Sequence, residues 1–391
     1  MSREGGALDV EHFTCGEPIA VDVANIEREL GALWKQASGA AAHGADMPVS
    51  RAARWNVVIP ALGAEALAKT KRMVDEMAVA LPARTITLGL DTDRSAGGER
   101  GAVRATIESN VMSQPGGTRV VYSEEITIVG PPEAEAHFGA LVRALQIPGL
   151  PTATFWMDHA LPESLLAREL APLAGATGRL VLNTTCCLQP SHLFRLDRVA
   201  SRVGGVAIAD IGWLRLGSLR SLFAGLFDPP VGGAPLARAQ KVIVHHRARS
   251  DASALLLIAW LGVKLGWRPI RSAQTSDGGM RFDFQRGEAG VGPAVQGFLA
   301  PAEGPCGETG IYGIELIGPD GRFALRRTAI DQAMIESAVA PPRPVKLDPS
   351  SDAELATAAL GPRGRDPLFS RCLAYARQLW SLDPSTDVSR R

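Results

Sequence analysis

Two residues able to do acid and base chemistry stand side by side at the predicted end of a strand. Asp158 and His159 directly follow the apolar run Thr152–Met157, and open α/β sheets bind ligands at the carboxyl ends of their parallel strands. A carboxylate beside an imidazole could act as general acid and base. The same two residue types ahead of Pro162 also suit a loop that leads into a helix, and we favour the loop.

Two further pairs of adjacent residues lie in strand-like runs. Successive side chains of a strand point to opposite faces, so Glu124 and Glu125 cannot work as a paired acid and base. We expect one of these carboxylates to face the core or an interface, where it would need a partner. By the same argument His245 and His246 cannot hold one metal ion. One histidine should lie at the surface and the other in the core.

The cysteines and the common motifs point away from catalysis. No Gly-x-Gly-x-x-Gly follows the strand-like run Trp55–Ile59, and neither a phosphate-binding loop nor a Gly-x-Ser-x-Gly elbow occurs. Cys186 and Cys187 are adjacent thiols at a strand end; they form either a redox pair or, as we favour, two half-buried side chains. The sequence predicts no catalytic residue, no cofactor and no metal. The cysteines are few and scattered: Cys15, Cys186, Cys187, Cys306 and Cys372.

Composition excludes two classes of partner. The 391 residues carry 41 Lys and Arg against 41 Asp and Glu, so the formal net charge is +0. A chain without bulk charge has no field to attract nucleic acid. No apolar run reaches the length of about 18 residues that a membrane helix requires, and the charged N-terminus lacks the apolar core of a signal peptide. We expect a cytoplasmic protein that binds neither nucleic acid nor membrane.

The hydrophobic pattern predicts two rounds of α/β structure. From Trp55, strand-like runs alternate with helical stretches, which indicates parallel crossovers, and a Gln-Pro-Gly-Gly turn joins Val103–Met112 to Arg119–Val129 as a hairpin. The second round has a strand at Lys241–His245 and a helix at Ser253–Leu265. It ends in four alternating runs predicted as an antiparallel meander: Met280–Arg286, Ala294–Leu299, Gly310–Ile317 and Arg322–Arg327.

The predicted fold class is therefore α/β, with two similar domains built on mixed sheets and a short C-terminal helical segment. Residues 1–50 form an N-terminal extension with one amphipathic helix, and residues 51–230 form the N-terminal α/β domain. Residues 231–337 form the C-terminal α/β domain. Residues 338–391 form a proline-rich linker followed by helices.

Several tryptophans follow predicted strands on one sheet. Trp156 and Trp213 stand at such positions, and the predicted helix Trp213–Phe227 adds Arg215 and Arg220 on its polar side. Aromatic and arginine side chains together favour a partner-binding surface. For each indole taken singly, however, we favour packing in the core.

Spaced similarities over roughly residues 50–330 resemble the glucose-6-phosphate dehydrogenase assembly protein OpcA family. Val121–Met157 has the family's Ser-Glu-x-Ile strand, then a helix, and then a Leu-Pro before an apolar strand that ends in tryptophan. Ala174–Leu182 is similar to its next strand, and Ala254–Trp267 to a helix of its C-terminal domain. Ala209–Phe227 matches an Ala-Asp-Leu-x-Trp-x-Arg-Leu run through Asp210, Trp213, Arg215 and Leu216.

The resemblance implies a non-catalytic partner that binds glucose-6-phosphate dehydrogenase of the oxidative pentose phosphate pathway. Such a partner would act as an allosteric activator or assembly factor that promotes the active oligomer. The alternative is a small-molecule-binding protein or enzyme of sugar-phosphate metabolism that uses the Asp158 and His159 sheet edge. The residues we expect to contact the partner are Trp156, Asp158, His159, Asp210, Trp213, Arg215 and Arg220.

Overall fold

Two compact units make up the chain. The first contains Met1–Val181 and Val199–Ala207, and the second contains Leu182–Arg198 and Ile208–Arg391. The contacts thus divide the chain near residues 182–208, whereas the sequence predicted a boundary after residue 230. The computed structural model describes residues 12–14, 16–39, 50–91, 103–113, 119–158, 160–174, 178–187, 189–203, 206–286, 294–361 and 366–382.

The strands up to residue 210 form one ten-stranded sheet. Its strands are β1 (His12–Thr14), β2 (Ile19–Val21), β3 (Ser50–Arg51), β4 (Trp55–Leu62), β5 (Ala83–Leu90), β6 (Arg104–Ser113), β7 (Arg119–Gly130), β8 (Thr152–Trp156), β9 (Arg179–Leu182) and β10 (Ala207–Asp210). The helices in this stretch are α1 (Ile26–Gly39), α2 (Gly63–Ala80), α3 (Glu135–Leu145), α4 (Ala171–Ala174) and α5 (Pro190–Val203), with a π-helical turn at Leu165–Leu170.

The sheet is mixed, as the pattern predicted. Its order is β1-β6-β7-β5-β4-β8-β9-β10, with β2 also on β6 and β3 on β7. Strand β4 pairs in parallel with β5 and β8, and β5 pairs in parallel with β7. The predicted hairpin is confirmed, because β6 and β7 pair antiparallel. Helix α2 supplies the crossover connection between the parallel neighbours β4 and β5. Helix α3 lies in the longer crossover from β7 to β8, which β5 and β4 separate in the sheet.

Successive side chains of β7 point to opposite faces of the sheet and therefore lie in two different environments. Lys71 of α2 contacts Glu125, so α2 covers the face that Glu125 occupies. Glu124 occupies the other face, where it meets Arg84 of β5. The prediction that the two adjacent carboxylates point opposite ways is confirmed, and each has found a cationic partner.

The second unit holds an eight-stranded sheet with helices against it. Its strands are β11 (Lys241–His246), β12 (Arg268–Gln274), β13 (Met280–Gln285), β14 (Ala294–Pro301), β15 (Ile311–Gly318), β16 (Gly321–Arg327), β17 (Gln332–Ser337) and β18 (Ala340–Lys346). Its helices are α6 (Ile211–Arg215), α7 (Gly217–Gly225), α8 (Ala234–Ala237), α9 (Asp251–Leu265), α10 (Asp352–Leu360) and α11 (Pro367–Ser381).

The predicted meander is wrong at one point. The order β12-β13-β14-β11-β15-β16-β17-β18 puts β11 between β14 and β15, parallel to the first and antiparallel to the second. Burial explains the insertion, because Val242 and Val244 of β11 are fully buried and the wholly apolar part of α9 packs on this strand. A strand covered in this way lies at the centre of the sheet rather than at its edge.

The proline-rich segment also differs from the predicted linker. Strand β18 lies inside it and pairs antiparallel with β17 at the edge of the sheet. Proline lacks a backbone N–H, so an edge strand is where a sheet tolerates it, and it blunts further pairing there. Among the described residues, no helix is both long and apolar enough to cross a membrane.

Candidate functional site

The predicted contact residues of the second unit cluster where β10 runs into α6. Asp210 is 2% exposed and caps α6: its carboxylate accepts hydrogen bonds from the backbone N–H of Trp213 and, at 2.9 and 2.8 Å, from the N–H and hydroxyl of Thr184. Burial raises the pKa of Asp210 to about 7 even though these three donors favour the charged form. Asp210 therefore fixes the start of the helix from inside the unit.

Trp213 lies in the core and not at the surface. Its indole is 1% exposed, packs against Phe369 of α11 with ring centroids 5.7 Å apart, and donates its Nε1–H to Asp366 Oδ2 at 2.7 Å. A buried indole satisfies its polar edge in this way. Direct contact between Trp213 and a partner is therefore not available in this structure, and the residue instead ties α6 to α11.

Arg215 is mostly engaged inside the second unit. Its Nη1 donates to the carbonyl of Ser350 at 2.9 Å, and its Nη2 pairs with Asp352 at the start of α10 and lies 3.1 Å from Glu308. The side chain is 12% exposed. A guanidinium bound by two carboxylates and a carbonyl positions the segment ahead of α10 and has little capacity left for a partner.

Arg220 has a different environment one turn further on. Its guanidinium carbon lies 3.5 Å from the centre of the Trp213 ring, and its Nη2 donates to the Trp213 carbonyl at 3.1 Å. Burial lowers the pKa of Arg220 to about 10, an effect that Asp366 offsets only in part. A cavity of about 540 Å³ opens beside it, lined mainly by polar residues of α7 and of the segments around α10: Gly217, Ser218, Arg220, Ser221, Asp348, Ser350 and Asp366.

The predicted residues of the first unit are only partly accessible. Trp156, the last residue of β8, is fully buried and is therefore a core side chain in this structure. Asp158 is half-buried, and its Oδ1 accepts a hydrogen bond from the N–H of Ala160 at 2.8 Å, as in a loop. His159 lies outside the described residues. The Asp158 and His159 acid–base pair thus stays a prediction.

A charged cluster that the sequence did not reveal lies between α2 and the sheet of the first unit. The Nζ of Lys71 is 3.1 Å from Glu108 and 3.0 Å from Glu125, and it also pairs with Asp75 one turn away. Asn110 donates to Glu125 Oε1 at 3.0 Å. Burial raises the pKa of Glu125 to about 7. The three carboxylates come within 4.8 Å of one another, and the Lys71 ammonium already serves as their counter-ion.

Sequence periodicity could have located part of this cluster. Lys71 and Asp75 stand four residues apart on a helix, and Glu108 and Glu125 occupy opposed positions of the β6–β7 hairpin. Both spacings bring side chains together. The helix and the hairpin are far apart in sequence, so no local pattern shows that they share a cavity of about 320 Å³, which is lined largely by apolar and threonine side chains.

The adjacent histidines behave as predicted. His246 is 1% exposed, whereas the side chain of His245 is 26% exposed and lies 2.8 Å from Glu315. One histidine is therefore in the core and the other at the surface. Cys187 is buried, and a hydrogen bond with Cys186 together with burial raises the pKa of its thiol, which disfavours the reactive thiolate.

Comparison with known families matches both halves of the chain. The family model for the N-terminal domain of a "Glucose-6-phosphate dehydrogenase subunit" matches residues 74–198, and the model for the C-terminal domain of the same subunit matches residues 206–373. The chain belongs to the OpcA family. The two mixed sheets described above are therefore those of an OpcA-family protein.

Curated relatives bear the same family name. A protein of Nostoc punctiforme named "Putative OxPP cycle protein OpcA" is 29% identical over 201 residues, which are 51% of this chain and 41% of that protein. A protein of the same name from Synechocystis is 24% identical over 200 residues, which are 51% of this chain and 40% of that one. The chain spans less than half the length of these OpcA relatives.

Solved structures give more distant likenesses to this OpcA-family chain. An NAD-binding oxidoreductase from Klebsiella pneumoniae has a TM-score of 0.46 at 12% identity, covering 87% of this chain and 98% of that one. A 3-ketoreductase from Actinomadura kijaniata, solved with NADP, has a TM-score of 0.44 at 14% identity, covering 83% and 96%. Likeness at this level carries no inference about activity or cofactor.

The residues that carry the OpcA-family resemblance mostly hold the fold together. Ser123 and Ile126 of β7 are buried, as is Trp156 of β8, while Asp210 and Trp213 build the junction between β10, α6 and α11. The sequence favours core packing for each indole taken singly, which their burial confirms, although both also stand among the expected partner contacts. The helical spacing of Trp213 with Leu216 and Leu219, which are also buried, is a signal that also places Trp213 in the core.

Proposed function

We propose that this chain is a non-catalytic partner of glucose-6-phosphate dehydrogenase that favours the active oligomer of that enzyme. The observation that carries the proposal is the match of both family models, each described as a domain of a glucose-6-phosphate dehydrogenase subunit, over residues 74–198 and 206–373. The names of the curated relatives, which refer to the OxPP cycle, support the same direction.

The proposed mechanism is a shift of population between states of the dehydrogenase. A partner that binds the active oligomer more tightly than the inactive form stabilises it by the difference in binding free energy. A preference of about 1–3 kcal/mol changes apparent substrate affinity about 5–150-fold. Such an effect requires a complementary surface on this chain and no catalytic group.

Asp158 is the residue we retain as a proposed contact. It is half-buried in the loop after β8, whereas Trp156, Trp213 and Asp210 are buried. We expect Asp158→Lys to weaken activation of the dehydrogenase several-fold. Asp277→Lys, which reverses the charge of an exposed turn residue in the second unit, is the matched control and should leave activation unchanged.

The deciding experiment measures the initial rate of glucose-6-phosphate dehydrogenase from the same organism across substrate concentration, with and without the purified chain. We expect a lower apparent KM or a higher kcat that saturates as the chain is added. Size-exclusion chromatography of the mixture should show that the two proteins elute together. Unchanged rates together with separate elution would refute the proposed partnership.

A further inference from the structure

The guanidinium of Arg220 is partly buried and has no carboxylate in direct contact within the described part of the chain. Among the described residues, Arg220 forms no ion pair; its contacts are the Trp213 ring, 3.5 Å from its guanidinium carbon, and the Trp213 carbonyl. Its Nε is buried with no hydrogen-bond acceptor in the described part of the chain. A partly desolvated guanidinium normally pairs with a carboxylate or phosphate. The lowered pKa of Arg220 is consistent with this deficit.

Hydroxyl groups surround this guanidinium in the cavity of about 540 Å³, which we call the Arg220 cavity. Ser218, Ser221 and Ser350 line it, and their hydroxyls form no hydrogen bond with any other residue that the structure describes. Gly217 also lines the cavity, and the atom nearest to its Cβ position is the Arg220 Nη2, 4.0 Å away. One cation and three hydroxyl donors thus share one cavity.

The two carboxylates of the Arg220 cavity form no ion pair with Arg220, although the charge of Asp366 acts on it from a longer distance. Asp366 uses Oδ2 to accept from the Trp213 indole at 2.7 Å and Oδ1 to accept from the N–H of Leu368 at 2.9 Å. Asp348 is an exposed residue among those lining the cavity. Because neither carboxylate lies within ion-pair distance of Arg220, the donors around this guanidinium remain available to an added anion.

We propose that the Arg220 cavity binds a small molecule through a phosphoryl group. A tetrahedral phosphoryl group accepts more hydrogen bonds than a planar carboxylate, which matches a guanidinium accompanied by three hydroxyls. The volume lies in the range of small-molecule pockets, about 300–1,000 Å³. The remainder of the ligand would pack against the apolar lining residues Leu214, Leu355, Ala358 and Pro367.

Equilibrium dialysis of the full chain against labelled inorganic phosphate, in Tris chloride without sulfate, tests this site. We expect saturable binding near one phosphate per chain. Ser218→Ala and Ser221→Ala should each weaken binding about tenfold, because each removes a donor to a charged acceptor. Asp348→Asn should strengthen binding a few-fold, because it removes a like charge from the cavity. Glu303→Gln, an equally exposed carboxylate elsewhere in the second unit, should leave binding unchanged.

Several outcomes overturn the proposal. Absence of saturable binding does so, and so does binding that the serine variants and Asp348→Asn leave unchanged. Acetate that competes as well as inorganic phosphate would show a carboxylate site and would also contradict the phosphoryl assignment. Arg220→Lys should weaken binding strongly. If that variant does not fold, the Ser221→Ala and Asp348→Asn measurements still decide, since both residues are exposed. Dehydrogenase is absent from this assay, so its result is independent of the proposed partnership.

Discussion

The two units treat a partly buried cation in opposite ways. In the first unit Lys71 is surrounded by three carboxylates, two of them buried, and these outweigh burial so that the pKa of the lysine rises. In the second unit Arg220 lies against an indole and pairs with no carboxylate among the described residues, so burial prevails and its pKa falls to about 10. The first arrangement has an excess of negative charge, and the second has unused donors.

This difference separates what each cluster contributes. A cation already held by opposite charges adds to stability in a pH-dependent way, because its carboxylate partners can titrate. A cation held by a ring keeps its hydrogen-bond donors for an added anion, since the ring interacts with its face and not with its N–H groups. We therefore assign a stability role to the Lys71 cluster and a binding role to the Arg220 cavity.

The largest expected effect comes from removing the ring beneath Arg220. Trp213→Ala leaves a cavity between α6 and α11 and removes the partner of Asp366, so the unfolding free energy should fall by about 3–5 kcal/mol. Urea unfolding followed by far-UV circular dichroism measures this loss. A loss below about 1 kcal/mol would show that Trp213 is not a core side chain.

The next largest effect is a pH dependence of the unfolding free energy that originates in Glu125 of the first unit. The pKa of Glu125 rises from 4.5 to about 7 on folding, so the folded state binds more protons between these values. Its contribution is complete below about pH 4.5 and is lost as pH rises through 7, by up to about 3 kcal/mol. Glu125→Gln should remove that part of the slope of unfolding free energy against pH.

A residual slope of the same sign should remain in Glu125→Gln. Burial also raises the pKa of Asp210, in the second unit, to about 7, and its contribution is likewise lost as pH rises. Wild-type and variant curves that run parallel from pH 5 to 8 would show that Glu125 titrates normally.

Removing the cation itself should have a smaller effect. Lys71→Met leaves Glu108 and Glu125 without a counter-ion at pH 8, and we expect a loss of about 1–3 kcal/mol, below the value for a fully buried pair because the lysine side chain is 35% exposed. The loss should shrink at pH 5, where Glu125 is neutral. Arg72→Met, an exposed neighbour on α2, is the control. Equal losses for the two variants at pH 8 would contradict the ion-pair account.

Local periodicity explains which features the sequence could predict. Alternation along a strand correctly separated Glu124 from Glu125 and His245 from His246, because it depends only on neighbouring residues. The insertion of β11 between β14 and β15 depends on pairing between segments far apart in the chain. A turn signal between consecutive runs favours the meander and carries no information about a third strand.

The candidate sites show the same limit more sharply. Lys71 and Glu125 are 54 residues apart, and Trp213 and Asp366 are 153 apart, so neither contact leaves a spacing to recognise. The combination of Trp213 with Arg215 and Arg220 suggested a partner-binding surface, because aromatic and arginine side chains are enriched at interfaces. The same residue types also pack where helices meet, since their long side chains cover apolar surface there. Only the buried partners supplied by α10 and α11 distinguish the two cases.

The smallest expected effect on stability comes from Trp213→Phe, which separates the role of the aromatic ring from that of the indole hydrogen bond to Asp366. Trp213→Phe keeps an aromatic face beneath Arg220 and removes the Nε1–H that Asp366 Oδ2 accepts at 2.7 Å, so the unfolding free energy should fall by only about 1–2 kcal/mol. If the ring face is what leaves the Arg220 donors unused, inorganic phosphate should still bind to this variant. The freed Asp366 oxygen should weaken that binding by a few-fold, because an additional uncommitted carboxylate then faces the cavity. Complete loss of phosphate binding in a folded Trp213→Phe variant would instead show that the indole hydrogen bond, by holding Asp366 away from Arg220, is what keeps the guanidinium unpaired.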